Sequence, residues 1–80
     1  MLLADGFEDA VIGVGRRCGQ PDIAVYSYAK CLAVLVLQGL SEEEASDHLE
    51  FNVVGAWVGE ETPLFLHEMS LAELHEYADE

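Results

Sequence analysis

The chain has 80 residues, enough for one small domain with a modest hydrophobic core. It contains 16 acidic and three basic residues, a formal net charge of −13. This balance excludes direct nucleic-acid binding, which requires lysines and arginines that contact phosphates. Hydrophobic residues make up 51% of the chain. Because this fraction is high for so small a body, we expect part of the apolar surface to be covered by a second copy, in a homodimer, or by a partner.

The first secondary-structure signals are two short β-branched segments and one apolar helix. Residues 11–14 and 23–26 are typical of strands, and a loop containing Gly19 and Pro21 connects them as a hairpin. The segment 28–38 follows Ser27, a suitable N-cap, and ends before Gly39, a suitable C-cap. Its apolar run is too short to span a bilayer. A helix that is apolar on nearly every side should be covered on nearly every side.

The second half of the chain predicts two more helices and one strand. Residues 42–58 begin with a capping box at Ser41 and keep a helical apolar stripe up to Gly59, so we expect Trp57 in the core and Gly55 at a close contact. A strand at 64–66 follows Pro63. A second capping box, SLAE at residues 70–73, begins a terminal helix with an apolar stripe at Leu71, Leu74 and Tyr77.

These elements predict a fold with the order β-β-α-α-β-α. Residues 1–80 form a single acidic α+β domain, with a short antiparallel or mixed sheet packed against an α-hairpin. The sequence shows neither a signal peptide nor a disulfide framework, since the two cysteines have no characteristic spacing. We therefore expect a protein of a reducing cytoplasm.

The sequence contains no recognisable catalytic or metal-binding motif. Its serines at 27, 41 and 70 are explained as helix caps, and no nucleophile elbow is present. Its three histidines and two cysteines do not have the spacing of zinc sites. The acidic cluster around Glu8 is not a calcium loop. We expect a protein that is not an enzyme and that binds no metal or cofactor.

Charge is distributed unevenly between the two halves of the chain. Residues 1–40 contain four acids and three bases, whereas residues 41–80 contain twelve acids and no lysine or arginine. Glu43, Asp47 and Glu50 share one helix face over about 10 Å. Their spacing is within a factor of two of the roughly 3.4 Å per charge of a nucleic-acid strand. Either the row solubilises the protein, or it imitates a nucleic acid.

The arginines at 16 and 17 could pair with an acidic face, within one copy or across a dimer.

Three segments carry a resemblance to known proteins. DGFEDAVIGVGRRCGQPD, AVYSYAKC and EFNVVGAWVGEETPLFL, which cover about residues 5–66, resemble a family of very short proteins of phages and phage-like mobile elements. The segment EFNVVGAWVGE is the most specific of them. Most members have no assigned function. In size, acidity and Ala/Leu/Val-rich composition, the chain is also similar to small anti-CRISPR proteins, plausibly inhibitors of type I-C systems.

The anti-CRISPR resemblance implies a non-enzymatic inhibitor that binds the crRNA-guided surveillance complex, Cascade, and prevents recruitment of target DNA. It assigns no contact residues. From the charge pattern, we expect an acidic partner-binding face formed by seven residues: Glu43, Asp47, Glu50, Glu60, Glu61, Glu73 and Glu76. The alternative is a phage or mobile-element accessory protein that binds another host protein.

Overall fold

A computed structural model describes residues 1–78 and confirms the α+β fold in the order β-β-α-α-β-α. A 3₁₀ turn precedes the first strand, and a π-helical turn directly follows the second helix. The elements are the 3₁₀ turn Glu8–Ala10, β1 Val11–Gly15, β2 Ile23–Ser27, α1 Tyr28–Leu37, α2 Glu42–His48, the π-helical turn Leu49–Val54, β3 Leu64–Leu66 and α3 Leu71–Ala78. Within this part of the chain, no helix is both long enough and apolar enough to cross a bilayer.

The three strands form one mixed sheet with β2 at its centre. β1 pairs antiparallel with β2 in the predicted hairpin, and a bulge interrupts the register between Val11 and Gly13. β3 pairs parallel with β2, from Val25 opposite Leu64 to Ser27 opposite Leu66. A parallel pair needs a long crossover connection, and α1 and α2 supply it.

The core lies between the sheet, α1 and the first part of the second helical segment. Tyr26, Cys31 and Leu49 are its largest fully buried side chains. The Tyr26 ring stacks on Phe65 with 5.5 Å between ring centroids, and its hydroxyl accepts a hydrogen bond from the Ala4 N–H at 2.8 Å. Burial raises the pKa of the Cys31 thiol, which keeps this side chain in its neutral, apolar form.

The predicted helix caps are confirmed. The Ser27 hydroxyl accepts a hydrogen bond from the Lys30 N–H at the start of α1. At its end, Gly39 adopts a φ of +106°, and the N–H groups of Gly39 and Leu40 bond to the carbonyls of Val36 and Leu35 in a Schellman motif. Both capping boxes, at residues 41–44 and 70–73, make both of their reciprocal hydrogen bonds.

The expectation that α1 is covered on nearly every side is wrong. Cys31 and Leu35 are buried, but Val36 is exposed and Leu37 is 88% exposed. The helix contacts β2, the 3₁₀ turn and α2, and a chain of this length has too few elements to enclose the remaining side. Apolar side chains therefore stay on the surface of the described domain.

The second helix departs from the predicted span 42–58, because it becomes a π-helix after His48 and ends at Val54. A π-helical turn is wider than an α-helical one, so later side chains leave the 3.6-residue stripe. Phe51 is 81% and Trp57 74% exposed, and the prediction that Trp57 lies in the core is wrong. The close contact at Gly55 is confirmed, since a Cβ there would lie 2.7 Å from the Glu50 carbonyl oxygen.

The terminal helix α3 lies on the surface and buries none of its described residues. Its predicted apolar stripe of Leu71, Leu74 and Tyr77 is present but exposed. The helix is held at its start by the capping box and by the segment 67–69 that connects it to β3. The acidic residues Asp79 and Glu80 lie outside the described residues.

Candidate functional site

A groove between the start of α1, the segment 67–69 and α3 encloses about 720 Å³. Its aromatic wall is formed by Tyr28 and His67, whose rings stack with 4.1 Å between centroids and an interplanar angle of 29°. Three glutamates, Glu68, Glu73 and Glu76, line the same groove. We call this the acidic groove. Its remaining lining residues are Ser27, Ala29, Leu32, Met69 and Tyr77.

The parallel pairing of β2 and β3 creates the acidic groove. Ser27 lies opposite Leu66 in the sheet, so the next residues along the two segments, Tyr28 and His67, are brought together. Ser27 also caps α1, which places Tyr28 at the first helical position. Three residues after His67, the capping box at Ser70 begins α3 and directs two glutamates of that helix to the groove.

Tyr28 links the acidic groove to the carboxylates of α2. Its hydroxyl donates a hydrogen bond to the Glu50 carboxylate at 2.9 Å. Burial raises the pKa of Tyr28, and the hydrogen bond to Glu50 raises it further. The hydroxyl therefore stays protonated, and donates to Glu50, to a higher pH than that of an ordinary tyrosine.

Glu43 and Asp47 extend the acidic surface from Glu50 along the second helical segment. Asp47 follows Glu43 by four residues, so these two carboxylates share one side of α2, and Glu50 follows three residues later in the π-helical turn. All three residues are exposed. Within residues 1–78, none of the three forms a salt bridge. We call Glu43, Asp47 and Glu50 the α2 row.

Glu60 and Glu61 are placed apart from the other predicted contact residues. They line a separate depression together with Leu2, Pro21 and Val58, and Glu61 forms a salt bridge with the Met1 ammonium at 2.9 Å. The structure therefore divides the predicted acidic face into two groups. Five of its members belong to the α2 row or to the acidic groove, and Glu60 and Glu61 form the second group.

Several other charged groups form salt bridges or hydrogen bonds with residues close to them in the chain. Arg16 pairs with Asp22 at 3.1 Å within the loop between β1 and β2, and this hydrogen-bonded pair lowers the pKa of Asp22. Hydrogen bonds from Ser41 and Ser70 lower the pKa values of Glu44 and Glu73 in the two capping boxes. Of these carboxylates, only Glu73 also lines the acidic groove.

Sequence analysis missed three components of this site, namely Tyr28, Glu68 and the stacking of His67. No local pattern identifies them, because Tyr28 and His67 are 39 residues apart and meet only through the β2–β3 register. Among the described residues, no group of three or more His, Cys, Asp or Glu side chains is arranged to hold a metal ion. The site offers negative charge, aromatic surface and hydrogen-bond acceptors, which suit a cationic partner.

Ionisation of Tyr28 provides a test of its geometry. We expect Tyr28→Phe to remove a tyrosinate absorbance component that appears above the ordinary tyrosine pKa. A raised folded-state pKa contributes stability that is complete below the ordinary tyrosine pKa and is lost as pH rises through the folded-state value. Wild-type protein should therefore lose stability relative to Tyr28→Phe in that range, as measured by urea unfolding. The exposed Tyr77→Phe variant is the control, and a high-pH component that survives Tyr28→Phe would contradict the assignment.

Comparison of the chain with protein-family models, with curated proteins and with solved structures finds no significant match.

Proposed function

We propose that this chain is a non-enzymatic inhibitor that binds a basic surface of a nucleic-acid-handling complex and competes with DNA for it. The observation that supports this most directly is the hydrogen bond from Tyr28, which lines the acidic groove, to Glu50 of the α2 row, because it connects the two groups of carboxylates. The half of the chain that contributes its carboxylates, residues 41–80, contains no lysine or arginine.

Two carboxylates of this surface, Asp47 and Glu76, do little to stabilise the fold. Glu43 and Asp47 are four residues apart on a helix, where like charges cost about 0.2–0.5 kcal/mol per pair. Glu76 lies in the second half of α3, where the helix dipole disfavours negative charge. By contrast, the capping glutamates have clear structural roles. Carboxylates without a structural role are available to contact a partner.

The shape of the surface suits lysine and arginine side chains. The α2 row presents charges at intervals that approach those of a nucleic-acid strand. The acidic groove adds the stacked rings of Tyr28 and His67 beside three glutamates, and aromatic rings beside carboxylates bind ammonium and guanidinium groups through cation–π and ionic contacts. A surface that normally holds a DNA backbone carries such side chains, and electrostatic attraction would speed its encounter with this protein.

The resemblance to small anti-CRISPR proteins makes type I Cascade our proposed partner. On this hypothesis, the acidic surface occupies lysine-rich positions that otherwise hold target DNA. No chemical step is required, and the core serves to hold α1, α2 and the segment 67–69 in place. Binding of this kind should weaken steeply as salt increases.

The alternative is an accessory protein of a phage or mobile element that binds another host protein. The exposed stripe of Leu71, Leu74 and Tyr77 on α3 favours this second candidate, since an unpaired apolar helix face can dock into a hydrophobic groove. In that case the apolar stripe would contribute most of the binding free energy. Affinity would then change little with salt.

A capture experiment with purified type I-C Cascade tests the proposal. We expect the immobilised protein to retain Cascade at low salt, to lose it progressively across a salt series, and to release it when excess target DNA duplex is added. A control with DNA that lacks the target sequence separates specific displacement from general ionic competition. Retention that target DNA cannot reverse would support the alternative, and no retention at low salt would reject Cascade as the partner.

A further inference from the structure

Within residues 1–78, the outer edge of β1 is unpaired. β1 lies at one side of the sheet, and β2 is its only strand neighbour in this part of the chain. Val11, Ile12 and Val14 are exposed, and Val14 is 56% exposed. An exposed edge strand offers a row of backbone N–H and C=O groups to any other strand, and proteins usually protect such edges with lysine, proline or short strand length.

The two edges of this sheet are protected to different degrees. β3 is only three residues long and directly follows Pro63, so that edge carries two of the usual protections. β1 is five residues long and contains neither proline nor lysine. Its one protection is the bulge near Ile12. β1 is therefore the edge at which another strand can be added.

The charges at the two ends of β1 are complementary to each other. Glu8 and Asp9 lie just before the strand, and Arg16 and Arg17 lie just after it. Arg16 is paired with Asp22. Arg17 makes no salt bridge within residues 1–78. In an antiparallel pair of identical strands, the end of each strand lies beside the start of the other, so each basic end meets an acidic start.

We propose that β1 is the surface on which two copies of this chain pair antiparallel about a two-fold axis, extending the sheet across both copies. Full overlap of Val11–Gly15 with its own copy places Gly13 on the axis and Ile12 of one copy opposite Val14 of the other. Beyond the paired strands, Arg17, which follows β1, lies next to the 3₁₀ turn of the second copy that contains Asp9. This is an isologous interface, in which each contact occurs twice.

A second copy fits this edge better than an unrelated partner does. The segment from Glu8 to Arg17 has two acids and two bases, so it is locally neutral in a chain of net charge −13. Two highly acidic molecules approach each other with least repulsion through such a segment. In this pairing, the α2 row and the acidic groove lie outside the dimer interface. The dimer is independent of the proposed inhibition of DNA binding.

Charge-swap variants test the pairing, with mass measured by sedimentation equilibrium. We expect Arg17→Glu and Asp9→Arg each to weaken dimerisation about tenfold or more, because each places like charges opposite one another twice. The double variant, which carries both changes, should regain wild-type affinity. Asp9→Arg lowers the overall negative charge, whereas Arg17→Glu raises it. If only the overall charge mattered, the two single variants would change the dimer affinity in opposite directions. That result would overturn the proposal.

A second pair of variants separates the β1 edge from other apolar surfaces. Val14→Lys adds a charge to the exposed edge and should produce a monomer of 8.8 kDa. Leu37→Lys makes a comparable change at the exposed end of α1 and should leave the dimer intact. Hydrogen exchange of the β1 amides should slow as protein concentration rises. The proposal is overturned if the wild-type protein stays monomeric at the highest attainable concentration. It is also overturned if Leu37→Lys disrupts the dimer and Val14→Lys does not.

Discussion

Replacing Asp47 and Glu50 with asparagine and glutamine is expected to weaken binding to the basic partner surface about tenfold at low salt. Each exposed ion pair contributes about 0.2–1 kcal/mol, and removal of two carboxylates from one row also lowers the local potential that attracts the partner. The substituted side chains keep their size, and glutamine at position 50 can still accept a hydrogen bond from Tyr28. The fold should therefore be preserved.

Two further double variants make this result specific to position. Glu73→Gln with Glu76→Gln removes two charges from the acidic groove and should weaken binding by a similar factor, since glutamine can still complete the capping box at Ser70. Glu60→Gln with Glu61→Gln removes the same number of charges from the separate group near Met1. We expect this control to change affinity by less than about twofold.

Binding is measured by surface plasmon resonance with purified type I-C Cascade at several salt concentrations. The loss of affinity in the α2 row and groove variants should appear in the association rate and shrink as salt increases. Equal losses from all three double variants would show that only net charge matters. If neutralising the α2 row and the groove together leaves affinity and inhibition of DNA binding unchanged, the proposed function is wrong.

Tyr26→Ala is expected to cost about 3–5 kcal/mol of the free energy of unfolding, as other large-to-small aromatic replacements do in protein cores. Tyr26 is fully buried, stacks on Phe65 of β3, and its hydroxyl accepts a hydrogen bond from Ala4. The substitution therefore removes a contact between two strands and the attachment of the N-terminal segment. Because domains are stable by only about 5–15 kcal/mol, this variant should lose a large part of its stability.

Two companion variants separate the contributions to this loss. Tyr26→Phe keeps the ring and removes only the acceptor of the Ala4 N–H, so we expect a cost of about 0.5–1.5 kcal/mol. Tyr77→Ala makes the same replacement at a residue that is 77% exposed and should change stability by less than about 0.5 kcal/mol. Urea unfolding followed by far-ultraviolet circular dichroism measures all three. Equal costs for Tyr26→Ala and Tyr77→Ala would contradict the burial of Tyr26 described here.

The order of elements and the starts of the helices could be predicted from the sequence because the determining groups are neighbours along the chain. Ser27, Ser41 and Ser70 each accept a hydrogen bond from a backbone N–H three residues later, so their roles as caps follow from local chemistry. Gly39 ends α1 because glycine readily adopts a positive φ. The β-branched segments before and after the first loop form a hairpin because the two strands and the turn residues between them are also neighbours along the chain.

Predictions that depended on burial were less accurate. The apolar stripe in residues 42–58 indicated a buried Trp57, but the π-helical turn after His48 changes the helical period and leaves this side chain exposed. A local pattern reveals which residues share a helix face, yet it does not reveal whether another element covers that face. The exposed stripe of α3 and the uncovered side of α1 are further examples of this difference.

The sequence by itself determined the fold class, the helix caps and the concentration of acidic charge in residues 41–80, because these follow from composition and from contacts between near neighbours. Only the tertiary structure decided which carboxylates share a surface. The parallel register of β2 and β3 brings Tyr28 to His67, Tyr28 joins the acidic groove to Glu50, and Glu60 and Glu61 lie elsewhere. These contacts connect residues far apart in the chain, and pairing between distant strands leaves no periodic signal in a single sequence.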